Sequence, residues 1–342
     1  MNRFFYQTRI KYSARLFLFL PLLWYSCSSD DKCKRQVDVS DISLVVEIEP
    51  LEKELAEIDD LPTLRSFLER HPVVAERFFK KSEYPNDTIW TQELLRRFQN
   101  PYIDTLFMET DRIFGNRSEL KQEFADAFKH LKYYYPDFEV PKIKTVVTGL
   151  EHDLFISDSL IVLGLDWYLG EGAKFRPRGM YDYILRRYAK EYIVPSCMLL
   201  YGISPRYNKN DPKDKTILAD AISFGKSFYF AKSMMPCTPD SLLIWYDAEE
   251  MAGVRENQKI IWAHLIENKV FYETSHLVKR KYIEDRPKTY EIGPKCPGRI
   301  ATWVGWEIVE HYMENKSEVT FQGLMQNNNA GEIFKDSNYK PD

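Results

Sequence analysis

The sequence predicts an α+β fold, mostly helical with a small β-sheet in the middle. Two observations carry this. Apolar residues recur at helical spacing from Leu51 to Phe138 and again after Gly179. Between those stretches, β-branched runs bounded by turn residues cluster from Pro141 to Leu165.

The elements follow in order. Val37 to Ile48 is β-branched and partly alternating, which predicts an opening strand. Leu61, Leu64 and Leu68 are spaced three and four apart, as on one helix face. Further helices are expected over Thr91 to Gln99, with Thr91 as its cap, and over Ser118 to Tyr135. Pro141 to Gly149 reads as a strand, and Leu154 to Ile156 and Leu160 to Leu165 as two more around an Asp158-Ser159 turn. Helices are expected over Tyr181 to Leu200, kinked or ended by Pro195, and over Leu218 to Met235, Ser241 to Lys269, Leu277 to Tyr282 and Arg299 to Glu314. Thr238-Pro239-Asp240 suits a helix start, and Pro294 to Gly298 a loop before the last long helix. Gln326 to Gly331 is polar and reads as an exposed connection. Gly225 and Gly305 lie inside helical patterns and mark close packing.

The N-terminus decides the compartment. Arg3, Arg9, Lys11 and Arg15 precede any acidic residue, and Leu16 to Tyr25 forms an apolar run. That run falls well short of the roughly 20 residues that cross a bilayer and suits a signal-peptide core. It ends at Ser26-Cys27, followed by the polar run Ser28-Ser29-Asp30-Asp31-Lys32. A lipoprotein signal ends at a cysteine whose thiol takes the lipid, so Cys27 is the expected lipidation site. Trp24 and Tyr25 replace the smaller residues usual before such a cysteine. The expected organisation is a signal peptide over 1–26, a polar tether over 27–36 and a globular domain over 37–342. That domain divides into a mainly helical part (37–138), an α+β part (139–325) and a tail (326–342).

Removing the four basic residues of the signal takes the formal charge from −4 to −8. A mildly acidic chain lacks the basic footprint of sequence-independent nucleic-acid binding. Cys33, Cys197, Cys237 and Cys296 are widely spaced with no CxxC pair, against a zinc ribbon. In an oxidising compartment they form one or two disulfides or stay as buried thiols.

No catalytic constellation emerges. Among His71, His130, His152, His264, His276 and His311, none begins HExxH. His264 and Glu267 occupy two positions of an inverted HxxEH motif, but Asn268 stands where the second histidine belongs, so a boundary histidine is expected. Glu151-His152-Asp153 reads as a polar turn. Asp166 has no DxDxDG loop around it for calcium, and neither a GxSxG elbow nor a Walker A motif occurs. Trp303, Trp306 and Tyr312 read as core rather than as a glycan platform. Neither a cofactor nor a metal is expected.

Five segments resemble the gliding-motility lipoprotein GldB family of Bacteroidetes: Leu160 to Gly170 (LIVLGLDWYLG), Tyr183 to Met198 (YILRRYAKEYIVPSCM), Ile217 to Pro236 (ILADAISFGKSFYFAKSMMP), Ile260 to Tyr272 (IIWAHLIENKVFY) and Pro297 to Asn315 (PGRIATWVGWEIVEHYMEN). Together they span roughly residues 140 to 325. The resemblance implies a lipid-anchored envelope protein of the outer membrane, in gliding motility or type IX secretion, acting by contact with envelope proteins. The order of elements is also similar to a gluzincin-type zinc metallopeptidase. In that likeness the HExxH helix falls at Tyr188 to Val194, which has no histidine, and the later Glu-Gly position reads Phe224-Gly225. The resemblance therefore implies a peptidase-like domain without its three ligands, and no enzyme. The alternatives are an exported zinc-dependent hydrolase with atypical ligands, or a glycan-binding surface lipoprotein.

Overall fold

The computed structural model describes residues 37–341. The signal segment, Cys27, the tether and Cys33 lie outside the described residues. The fold is α+β: helices dominate, around one four-stranded mixed sheet.

The sheet comprises β1 (Ile48–Pro50), β2 (Lys142–Val146), β3 (Leu154–Ile156) and β4 (Leu160–Gly164), in the order β1-β2-β4-β3. β1, β2 and β4 run parallel; β3 folds back antiparallel on β4 around the Asp158-Ser159 turn. The expected opening strand over 37–48 is corrected: only Ile48–Pro50 pairs, with Ile143 to Thr145. The stretch before it still alternates, with Leu44 and Val46 turned inward and Ser43, Val45 and Glu47 outward. The pattern encoded extended backbone, but no neighbouring strand reaches it.

Between β1 and β2 run α1 (Leu51–Leu55), α2 (Leu61–Arg70), α3 (Asp87–Phe98), α4 (Pro101–Phe114) and α5 (Ser118–Tyr134). α2 buries Leu64, Phe67 and Leu68 as its spacing predicts. α3 starts earlier than expected: the Asn86 side chain caps it by accepting from the Ile89 N–H, and the Thr91 hydroxyl donates back to the Asp87 carbonyl inside the helix.

After the sheet come α6 (Asp182–Leu185), α7 (Ile193–Ile203), α8 (Ile217–Met234), α9 (Asp240–Ile244), α10 (Ala248–Glu256), α11 (Gln258–Glu267), α12 (His276–Tyr282), α13 (Ile300–Asn315), α14 (Phe321–Gln326) and α15 (Ala330–Ser337). Two long helices expected from the sequence are broken. Tyr181 to Leu200 divides into α6, a 3₁₀ turn at Lys190–Tyr192, and α7, with Pro195 in the first turn of α7, where its missing N–H costs nothing. Ser241 to Lys269 divides into α9, α10 and α11, because Asp247 and Glu250 form a reciprocal capping box that starts a new helix. The expected tail contains α15, which buries Ile333 and packs on α13; only Asn327 to Asn329 form the polar connection.

The sheet separates two apolar cores. Val146 and Val162 face a core built with α1 to α4. Ile143, Ile161 and Leu163, the alternate residues, face a larger core with α5, α7, α8 and α13. With both faces covered, β4 is a continuous apolar run, as a buried parallel strand requires. Helix α5 packs with the larger core, so the packing boundary falls before α5 rather than at residue 138. No helix among the described residues is long and apolar enough to cross a membrane.

Candidate functional site

The residues singled out in the sequence serve structure. Glu151 pairs with Lys80 and Arg97, each at 3.2 Å; Asp153 accepts from the Tyr188 hydroxyl at 3.0 Å; and His152 lies edge-on to Phe78. The triplet is the polar turn it was read as. His264 Nε2 meets the Tyr282 hydroxyl at 2.9 Å on a half-buried face of α11, a boundary histidine. Asp166 is wholly buried at the end of β4, and its Oδ2 accepts from the Thr148 and Leu150 N–H groups at 3.0 and 2.7 Å. It pins the turn after β2, while burial pushes its carboxyl up to about 6. Trp303, Trp306 and Tyr312 are all buried in the larger core. Cys237 is disulfide-bonded, and Cys197 and Cys296 are free thiols. Among the described residues, no group of three or more His, Cys, Asp or Glu could hold a metal ion.

The segments where a zinc peptidase would carry its ligands hold packing and backbone contacts here. Ala189 bridges to Leu169, and the Tyr188 ring packs on Trp167 at 5.0 Å. Phe224 lies under the Arg299 guanidinium, 5.9 Å from its centroid. At Gly225 a Cβ would collide with the Gly305 carbonyl, so the glycines set the close approach of α8 and α13, as their positions predict.

A charged cluster that sequence reasoning missed joins several of the family-like segments. Trp245, with a left-handed φ of 64°, sits between two guanidinium groups: Arg187 at 4.4 Å and Arg299 at 4.7 Å from its ring centroid. Arg187 makes a two-pronged contact to Asp285 at 2.9 and 2.7 Å, and Arg299 reaches the same carboxylate at 3.6 Å. The two arginines hold the Asp285 carboxyl below its ordinary range against its burial. Arg299 is almost fully buried, and desolvation lowers its pKa to about 10. Beside it Arg186 holds Asp247, Glu250 and the Trp245 carbonyl, and Lys288 shares Glu250. The cluster fastens α6, the turn after α9, the loop before α13 and the first residue of that helix's entry. Only the adjacent pair Arg186-Arg187 in a helical segment offered a signal, and its partners lie 59 to 98 residues away.

The model of the gliding motility protein GldB family matches residues 32–341. The chain belongs to the GldB family. That makes it a gliding-motility-related lipoprotein of the cell envelope. The match takes in α1 to α5 as well as the second half, so the GldB unit is both cores together. No curated protein and no solved structure matches the chain.

The loop between β4 and α6 carries Lys174, Arg176 and Arg178, none with an ion pair among the described residues. Tyr181 beyond it is exposed and stacks on Tyr183 at 5.8 Å.

Proposed function

We propose that this chain is a non-catalytic lipoprotein of the outer membrane that serves gliding motility and the associated type IX secretion machinery through protein–protein contact. The observation that carries this is the GldB match across nearly the whole chain. Its side chains support it: Glu151, His152, Asp153, Asp166 and His264 are each engaged in a turn, an ion pair, a hydrogen bond or a packing contact. A peptidase-like scaffold with no histidine over Tyr188 to Val194 and Phe224 in place of the third ligand keeps its helix crossing and has no zinc chemistry to offer. Cys27 carries the lipid, and more than one acyl chain gives stable anchoring.

The test is purification of the tagged, lipidated protein from its own membranes, with identification of what accompanies it. Envelope proteins of the motility or secretion machinery are the expected company. Their absence, together with one equivalent of zinc and peptide turnover, overturns the reading. Cys27→Ser is expected to move the chain from the membrane to the soluble fraction, and fractionation of the variant reads this directly.

A further inference from the structure

Cys237 is disulfide-bonded, and four other cysteines compete to be its partner. The fold excludes two of them. Cys197 is wholly buried in α7, and Cys296 lies in the loop before α13 with its Sγ 3.8 Å from the Pro297 carbonyl; both are free thiols. Burial pushes both thiols up, Cys296 to about 12, so neither readily supplies the thiolate that disulfide exchange requires. Cys27 and Cys33 remain. A lipidated Cys27 has its sulfur committed to a thioether, which leaves Cys33. Cys237 itself is well placed to receive a segment from outside the domain: it is exposed, in the turn between α8 and α9. That turn is held still. The Thr238 N–H donates to the Met235 carbonyl at 3.0 Å, and the Lys232 amine donates to the Thr238 carbonyl at 2.7 Å. Lys232 and Arg255 both pair with Asp240, at 3.0 and 2.7 Å. Met234, at the end of α8, is fully buried in the larger core.

We infer that Cys237 is bonded to Cys33, and that this bond staples the lipid-bearing end of the chain to the turn after α8, which becomes the face of the domain held next to the membrane. This rests on the lipidation of Cys27 proposed above. The bond forms by thiol–disulfide exchange: each thiol gives up its proton, and the pair gives two electrons to a disulfide-bearing oxidant of the exported compartment, which leaves as two thiols. The consequence is one of reach. Six residues along the chain take Cys27 to Cys33, about 20 Å at full extension, so the turn after α8 stays within about that distance of the lipid. Without the bond the leash would run to Val37, about 35 Å at full extension, and the turn would no longer be the point of attachment.

Two measurements on the full chain test this. In the first, the protein is extracted from its own membranes, its free thiols are blocked with N-ethylmaleimide, and it is digested with trypsin without reductant for mass spectrometry. Residues 33–34 are expected in disulfide linkage to residues 233–255. A blocked Cys237, or Cys237 linked to any other cysteine, overturns the inference. Lipid on Cys27 together with a blocked Cys237 overturns the staple alone; a bond between Cys27 and Cys237 overturns the lipid reading as well. In the second, a specific protease site is inserted between Gln36 and Val37, and membranes carrying the chain are cut at it. The cleaved domain is expected to stay with the membranes until dithiothreitol is added and then to pass into the soluble fraction. The same chain with Cys33→Ser is expected to lose its domain from the membranes on cutting alone. Release of the unsubstituted domain by cutting alone, or its retention after reduction, overturns the claim that this bond holds it. An uncut chain found in the soluble fraction sinks the lipid reading, and the membrane-held face with it, whatever the pairing.

Discussion

Two buried charges give the molecule opposite responses to pH. Lys226 is 1% exposed in α8, and its amine donates to the carbonyls of Lys209 and Asn327 at 2.6 and 2.8 Å, with no carboxylate beside it. Desolvation lowers its pKa from 10.5 to about 7. Between those values the unfolded chain binds more protons than the folded one, so the contribution of Lys226 to stability rises with pH across that window. The stability difference between wild type and Lys226→Met is therefore expected to grow in favour of wild type from pH 7 to pH 10, by urea denaturation; a constant difference would falsify this. Asp166 is the reverse case: burial raises its carboxyl from 3.8 to about 6. The folded state binds more protons between those values, so its contribution is full below them and falls as pH rises through about 6. Asp166→Asn keeps an oxygen for the Thr148 and Leu150 N–H groups and removes that slope. Wild type is expected to gain on the variant as pH is lowered from 7 to 4. Sequence reasoning could have flagged Lys226, a lone cation in the apolar run ISFGKSFYF. It could not have found the partners of Asp166, because they come from the turn after another strand.

Helices α8 and α13 make the most extensive contact between elements in the fold, and two glycines set its distance. A Cβ at Gly305 would meet the Ala221 carbonyl, and one at Gly225 the Gly305 carbonyl, both backbone atoms of the facing helix that cannot turn aside. Intrinsic propensity favours alanine in a helix by about 1 kcal/mol. Here the clash decides the sign, since the helices must separate and the larger core with them. Gly225→Ala and Gly305→Ala are each expected to destabilise by about 3 kcal/mol, seen as a lowered denaturation midpoint, and a neutral or stabilising result would refute the close crossing. The glycines were legible in the sequence because each interrupts an otherwise apolar helical pattern. So were β2, β3, β4 and the buried face of α2, where period and burial agree. The misread elements were breaks. The capping box at Asp247 and Glu250 is itself a sequence signal, but the apolar spacing on either side of it concealed the boundary. Over residues 37–47, before β1, the alternation was right and the pairing was absent, and pairing depends on which residues the rest of the chain brings alongside.

At the scale of the whole molecule, the sheet holds two cores apart and charged ties hold distant segments together. One tie is the buried Glu52–Arg117 pair, with Thr145 donating to the same carboxylate at 2.7 Å, which joins α1, the start of α5 and β2. The other is Asp285, the carboxylate shared by Arg187 and Arg299. Removing it leaves two guanidinium groups around Trp245 without their counter-charge, one of them almost fully buried. Loss of one partner from a fully buried pair costs about 3–5 kcal/mol. The Asp285 side chain is 42% exposed, so solvent screens part of its interaction and a smaller loss, about 2 kcal/mol, is expected for Asp285→Ala. The location of the loss is the more specific prediction. Hydrogen exchange should quicken in α6 and in the turn after α9, far from residue 285 in sequence, because Arg187 and Trp245 lose the anchor that orders them. Protection in α2 and α3, which pack in the other core across the sheet, should not change. If protection fell evenly in both cores, the two would be one cooperative unit, and the cluster would be a general stabiliser with no special hold on α6.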